Sequence, residues 1–111
     1  MGKLAQNFTT WKGNYRQIEF FIEDVSTLVG STAEWAFSVD VDSAALVTKT
    51  STAGSITFSD NIATVTLDPA DTVSLDAGEY YHELRLSDTS SHPSTPAFGV
   101  MTLKEVILDG S

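Results

Sequence analysis

The chain has 111 residues, no cysteine and a formal net charge of −9, because fifteen acidic residues outnumber six basic ones. Its length suits one domain over residues 1–111, and the lack of cysteine excludes disulfides and thiolate metal sites. The negative charge argues against nucleic acid and against an anionic membrane surface as partners, since both would repel the chain. No apolar run approaches a membrane span, and the first residues lack the apolar segment of a secretory signal.

Short strands separated by turn residues account for most of the sequence. Clusters of Gly, Pro, Asn, Asp and Ser recur every eight to twelve residues, and apolar residues alternate with polar ones between them. This spacing predicts a β-sandwich. The predicted strands cover residues 4–11, 15–22, 34–42, 46–50, 56–58, 62–67, 80–86 and 98–108.

The second predicted strand has one apolar face and one exposed aromatic residue. Ile18, Phe20 and Ile22 alternate with Gln17, Glu19 and Phe21. The first set is therefore predicted to face the core. Phe21 is predicted to point outward, which makes it a candidate contact residue.

The third strand has the cleanest alternation in the chain. Trp35, Phe37, Val39 and Val41 fall on one face, with polar or small residues between them. All four are predicted to be core residues. Trp35 takes the place where an immunoglobulin-like sandwich buries its tryptophan.

A short helical turn is predicted from Pro69 to Ser74. Asp68 can cap the turn, Pro69 suits its first position, and Asp71 favours its positive N-terminal end. The turn is predicted to carry the chain from one sheet to the other.

The stretch around Tyr80 predicts how the sheets are joined. Residues 76–78 form a corner, and from Tyr80 onward every second residue faces the same way. A tyrosine just after such a corner is typical of the tyrosine corner, whose hydroxyl bonds to upstream backbone. Two residues later, where immunoglobulin domains carry a cysteine, stands His82. We predict a packed core histidine that faces Phe20 or Ile22.

The C-terminal part combines a predicted loop with a strand that is apolar on both faces. Two prolines and four serines within residues 87–96 argue against a regular strand there. The strand at 98–108 is predicted to be buried on both sides, against the core and against another chain. The candidate contact residues are Phe21, Met101, Leu103 and Ile107, with Ser90 and His92 in the loop as a second surface.

No residue spacing in the sequence predicts an active site. None of the serines lies on a nucleophile elbow, and the glycines are scattered singly rather than gathered in a phosphate loop. Asp40 and Asp42, with Asp60 or Asp24, could bind calcium, but no loop has a calcium-binding spacing. A solvated acidic edge is therefore favoured. We predict a protein that is not an enzyme and that uses no cofactor or metal.

Four aromatic residues have no clear place in the predicted core. Exposed rings on a sandwich suit either a glycan platform or a protein interface, and the interface is favoured for a small all-β domain without catalytic spacing. The four are Trp11, Tyr15, Phe21 and Tyr81.

A longer pattern of core and turn positions runs through most of the chain. It starts Asp24-x-x-x-Leu28-Val29-Gly30-Ser31-x-Ala33-x-Trp35-x-Phe37, and it returns with Gly54-Ser55-Ile56 and Ile62-x-x-Val65-x-Leu67. Its most specific part is Asp71-Thr72…Leu75…Gly78-x-Tyr80-Tyr81-x-Glu83-Leu84, and the last strand begins Gly99-Val100-Met101-Thr102-Leu103.

Over residues 13–108 this pattern resembles the immunoglobulin-like modules of tailed-bacteriophage virion proteins, such as the N-terminal domains of baseplate upper proteins and tail-fibre attachment proteins. The resemblance implies an all-β, immunoglobulin-like Greek-key β-sandwich of seven to eight strands with one short helical turn. It also implies a non-enzymatic structural or attachment component of a phage particle, as a tail, baseplate or fibre adaptor.

Such a component would be made in the host cytoplasm and carried in the virion, in multiple copies and in contact with other virion proteins. Two alternatives remain open. One is a head-decoration protein on a capsid, and the other is a carbohydrate-binding module.

Overall fold

The computed structural model describes residues 4–5, 7–22, 28, 30–87 and 93–105. Strands dominate these residues, and the predicted all-β class is confirmed. The elements in chain order are β1 (Leu4–Ala5), β2 (Phe8–Trp11), β3 (Arg16–Phe21), β4 (Thr32–Ser38), β5 (Val47–Thr50), β6 (Ile56–Ser59), β7 (Ile62–Leu67), α1 (Pro69–Thr72), β8 (Gly78–Ser87) and β9 (Pro93–Lys104).

The strands form two sheets whose order is that of an immunoglobulin-like Greek key. The larger sheet runs β1-β9-β8-β4-β5, and β2 also pairs with β9; the smaller sheet runs β3-β7-β6. The chain therefore changes sheet four times, between β2 and β3, between β3 and β4, between β5 and β6, and between β7 and β8. Counted from β3, the two sheets reproduce the GFCC′ and BED arrangements of immunoglobulin domains.

The core lies between the sheets and is built from the residues that alternation places inward. The inward predictions for Ile18, Phe20 and Ile22 are confirmed, and Trp35 and Phe37 are fully enclosed. Burial of these large side chains is the main stabilising contribution to such a fold. Further core residues are Ala33, Ile56, Ala63, Val65, Leu67, Leu84, Leu86, Ala97, Met101 and Leu103.

The helix α1 makes the crossover between β7 and β8, and it ends two residues earlier than predicted. The Asp71 carboxylate accepts a hydrogen bond from the backbone N–H of Asp68 (2.7 Å), which satisfies one donor at the helix start. Thr72 is fully buried, and its hydroxyl accepts a hydrogen bond from the N–H of Gly13 (2.9 Å). The crossover is thus tied to the turn between β2 and β3.

The predicted core positions of Val39 and Val41 are wrong. Strand β4 ends at Ser38, and the two valines are 58% and 67% exposed. The cause is a turn built by side chains. Asp40 Oδ1 accepts hydrogen bonds from the N–H of Asp42 (3.0 Å) and the hydroxyl of Ser43 (2.9 Å). Local side-chain bonds of this kind compete with continuation of a strand.

The predicted loop over residues 87–96 is wrong at its C-terminal end, because β9 already begins at Pro93. Pro93 pairs with Ser87 as the first residue of the strand, where proline is tolerated. The pairing then shifts between Leu84 and Leu86, and the backbone of Pro96 lies in the resulting bulge. A bulge needs one donor fewer in the ladder, so proline fits there. The rest of that loop, residues 88–92, lies outside the described part of the chain.

Candidate docking surfaces

Tyr80 forms the predicted tyrosine corner. Its hydroxyl donates a hydrogen bond to the backbone carbonyl of Asp76, four residues upstream, with an O–O distance of 2.6 Å. The side chain is buried, and its ring meets Phe37 edge-on with centroids 5.7 Å apart. Tyr80 therefore fixes the point where the crossover enters β8, and its role is structural.

His82 takes the position of one disulfide cysteine of immunoglobulin domains, and it forms a buried pair with Trp35, which takes the position of the tryptophan that packs against that disulfide. Both side chains are fully enclosed, and Trp35 Nε1 donates a hydrogen bond to His82 Nδ1 (3.2 Å). Because indole N–H can only donate, this contact assigns the imidazole proton to Nε2. Phe20 lies 6.1 Å from the imidazole centroid, so the predicted packed histidine facing Phe20 is confirmed.

Phe8 is a structural residue that sequence reasoning missed. Its ring lies edge-on to His82 with centroids 5.1 Å apart, and the Arg16 guanidinium carbon lies 5.4 Å from the centroid of the Phe8 ring. Arg16 also donates a hydrogen bond to the carbonyl of Thr9 (2.6 Å), which links β3 to β2. Residues 4–11 carry mixed apolar and polar residues on both faces. The parallel pairing of β2 with β9 was therefore not readable from alternation.

The structure corrects two of the predicted contact residues. Met101 and Leu103 are 0% and 1% exposed, because they lie on the face of β9 that packs into the core. Met101 of β9 is the register partner of Tyr80 of β8, and both side chains point into the core. Neither side chain can reach a partner while the sandwich is intact. The other predicted contact residues, Ile107, Ser90 and His92, lie outside the described residues.

Phe21 points outward as predicted and is 60% exposed. It pairs directly with Ile62 of β7, which is half-buried, at the end of the smaller sheet next to the turn at Asp60 and Asn61. Elsewhere this outer face is mainly threonine, glutamate and glutamine. Phe21 and Ile62 therefore form a small apolar pair on a polar face.

The outer face of the larger sheet carries a second group of apolar residues. Sheet register places Ala36, Glu83 and Phe98 in one row across β4, β8 and β9. The neighbouring row consists of Ser38, Tyr81 and Val100.

Tyr81 and Glu83 form a polar contact within this outer face. Tyr81 donates a hydrogen bond from its hydroxyl to Glu83 Oε2 (3.0 Å). Partial burial, and then the neighbouring Glu83 carboxylate, raise the pKa of Tyr81 above its ordinary value. The hydroxyl therefore stays protonated and continues to donate at neutral pH.

A groove of about 160 Å³ runs beside this face, between β8 and the 39–46 loop. Its floor is formed by the small residues Ala36 and Ser38 of β4, and Tyr81 and Glu83 line the β8 side. The loop supplies Val41, Ser43 and Ala45 on the other side. The groove is open to solvent and has the dimensions of a single side-chain pocket rather than a small-molecule site.

The remaining unplaced aromatic residues lie near α1. Trp11 and Tyr15 are exposed on either side of the Lys12–Asn14 turn, where Gly13 approaches the exposed Val73. This arrangement leaves two rings accessible at one end of the sandwich.

Several kinds of site have no counterpart in the described residues. These contain no group of three His, Cys, Asp or Glu side chains that could hold a metal ion, and no helix that is long and apolar enough to cross a membrane. The Asp40 carboxylate is engaged in its own turn, as given above. No known family model matches the sequence, and no curated protein matches it.

Proposed function

We propose that the chain is a non-enzymatic docking module of a tailed-phage particle, acting as an adaptor in the tail, baseplate or fibre. Its mechanism is the joining of an exposed sheet face to other virion proteins, through apolar contacts surrounded by polar residues. Multiple copies in the particle follow from the symmetry of such assemblies.

The observation that carries the proposal is the exposed Phe21 beside the half-buried Ile62 on an otherwise polar sheet face. The core is closed without Phe21, since Ile18 and Phe20 fill the inward side of the same strand. An aromatic residue that contributes nothing to the core, beside a second apolar residue, suits the centre of a small contact surface. The assignment to a phage particle is supported by the sequence resemblance, whose most specific positions include the corner residues Gly78 and Tyr80.

The test is the composition of purified phage particles. Particles from the phage that encodes the chain should contain it in a fixed stoichiometry, measured by quantitative mass spectrometry after gradient purification. Separate analysis of heads and tails distinguishes an adaptor from a head-decoration protein. A protein that stays entirely in the unassembled lysate fraction would overturn the proposal.

The contact role of Phe21 is tested by substitution. Phe21→Ser should reduce incorporation into particles or binding to the neighbouring virion protein at least tenfold, because it removes the aromatic centre of the surface. Val73→Ser, at another exposed apolar position, is the matched control and should leave incorporation unchanged. Equal loss in both variants would show that the contact lies elsewhere.

A carbohydrate-binding module is the second candidate, and exposed Trp11 and Tyr15 favour it. Exposed rings at one end of a sandwich can stack on sugar faces. Glycan-array binding that is lost in Trp11→Ala or Tyr15→Ala, but kept in Phe21→Ser, would favour this candidate over the adaptor.

A further inference from the structure

The 39–46 loop exposes three aliphatic residues within eight positions. Val39, Val41 and Leu46 are all exposed, although strand alternation alone would have placed Val39 and Val41 in the core. The bonds accepted by Asp40 hold the turn that keeps them outside. A cluster of exposed aliphatic side chains on one loop is a feature of surfaces that meet a partner.

The groove beside this loop extends the apolar surface onto the sheet. Val41 and Ala45 face Tyr81 across the small residues of β4, and the Tyr81 row continues to Val100. Small side chains on β4 leave a depression that one branched aliphatic side chain can enter.

The charges around the groove are mainly negative. Glu83 lies in its wall, Glu34 pairs across the sheet with Arg85, and Asp40 and Asp42 belong to the loop. Only Glu83 lines the groove itself; counted with these neighbouring residues, four acids against one base leave three net negative charges around it. Glu83 already accepts the Tyr81 hydroxyl, and a carboxylate has about four acceptor positions, so it can also accept a cationic side chain.

The charge distribution also argues against a second copy of the chain as the occupant. Each copy has a formal charge of −9, and a symmetric contact through this groove would bring the same acidic residues together. Such an arrangement places like charges opposite each other, which disfavours association.

We propose that the groove between β8 and the 39–46 loop binds an extended, basic segment of a partner protein. An aliphatic side chain of that segment enters the depression over Ala36, and flanking lysine or arginine side chains meet Glu83 and the acidic loop. This inference rests on the proposed docking role of the chain, and it adds a second surface to the one that contains Phe21.

The test is an NMR titration of the ¹⁵N-labelled chain with three synthetic heptapeptides. One alternates lysine with valine, the second alternates lysine with serine, and the third alternates glutamate with valine. The lysine–valine peptide should shift the amide signals of Ala36, Val41, Tyr81 and Glu83, and should lose affinity as sodium chloride rises. The other two should bind at least fivefold more weakly, because each lacks one of the two required chemistries.

Two substitutions with matched controls locate the binding. Val41→Ser and Glu83→Gln should each weaken the lysine–valine peptide about fivefold. Glutamine can still accept the Tyr81 hydroxyl, so the local structure is kept. The controls lie outside the groove: Val73→Ser repeats the change of an exposed valine to serine, and Asp60→Asn likewise replaces an acid by its amide. Asparagine tolerates the positive φ of 52° at position 60. The controls should change the affinity less than twofold.

Shifts centred on Phe21, equal binding of the lysine–serine peptide, or equal effects of the test and control variants would each overturn the inference. Particle analysis separates this failure from that of the proposed function. A chain that is incorporated into particles but fails the titration leaves the adaptor role standing without this groove. A chain that passes the titration but is absent from particles keeps the groove and loses the phage role.

Discussion

Tyr80 fixes the crossover through a single hydrogen bond, and this bond can be removed without changing the ring. Tyr80→Phe should lower the free energy of unfolding by about 1 kcal/mol or somewhat more, because the Asp76 carbonyl loses its donor in a partly buried place. Urea denaturation measures the change. Tyr81→Phe is the control: its hydroxyl bonds to the partly exposed Glu83, where water can substitute, so the loss should be smaller. An equal loss in both variants would show that the Tyr80 hydrogen bond contributes no more to stability than that of Tyr81.

The Trp35–His82 pair makes a prediction about coupling. Trp35→Phe withdraws the indole donor from the buried Nδ1 of His82 and should cost roughly 1–3 kcal/mol. His82→Leu should cost a similar amount, because it leaves the indole N–H in an apolar place. The double variant removes both polar groups, so it should be less destabilised than the sum of the two by about 1 kcal/mol. Strictly additive losses in denaturant titrations would mean that the pair acts by packing alone.

At the scale of elements, an ion pair joins the edge strand β5 to α1. Lys49 Nζ lies 2.7 Å from Asp71 Oδ2 and 3.8 Å from the Asp68 carboxylate, and the side chains of Lys49 and Asp71 are largely buried. An inward-pointing lysine on an edge strand also discourages pairing with another strand. The crossover and the edge of the larger sheet are therefore held by the same side chain.

Replacing Asp71 should lower the free energy of unfolding more than replacing Lys49. Asp71→Ala leaves a largely buried ammonium group with only the more distant Asp68 carboxylate and removes the acceptor for the Asp68 N–H. We expect a loss of roughly 2–4 kcal/mol. Lys49→Met keeps the stem packed and leaves the Asp71 carboxylate with the Asp68 N–H as a remaining partner, so it should cost less, about 1–2 kcal/mol. Thermal and chemical denaturation measure both, and a larger loss for Lys49→Met would contradict the ordering.

The elements that the sequence predicts well are those governed by alternation alone. Strand β7 and the inward face of β3 follow directly from period-two alternation, and the same alternation predicted correctly that Phe21 is exposed. The errors occur where another interaction decides. The Asp40 side chain ends β4 before Val39, and a bulge admits Pro96 into β9.

The candidate surfaces were predicted less well than the strands, for a physical reason. Two apolar faces on β9 indicate burial but not which face meets the core, so Met101 and Leu103 were assigned to the wrong side. The groove depends on how the 39–46 loop folds against β8. Sequence spacing does not predict that Val41 and Tyr81 line the same groove, since they are forty positions apart in the chain.

For the whole molecule, the uneven charge balance makes stability depend on salt. The chain has fifteen acidic and six basic residues, and its Cα radius of gyration is 14.2 Å. Many acidic residues therefore lie within a few Debye lengths of each other at low salt and repel one another. Raising sodium chloride from 20 to 500 mM should raise the melting temperature by a few degrees, a gain on the order of 1 kcal/mol. A variant with the exposed substitutions Asp42→Asn, Asp60→Asn and Glu79→Gln should melt higher than the natural chain at 20 mM salt and gain less from 500 mM. Differential scanning calorimetry measures both increments. If the two proteins gain equally, the salt acts through general effects on burial, and charge repulsion is not what limits the stability of this fold.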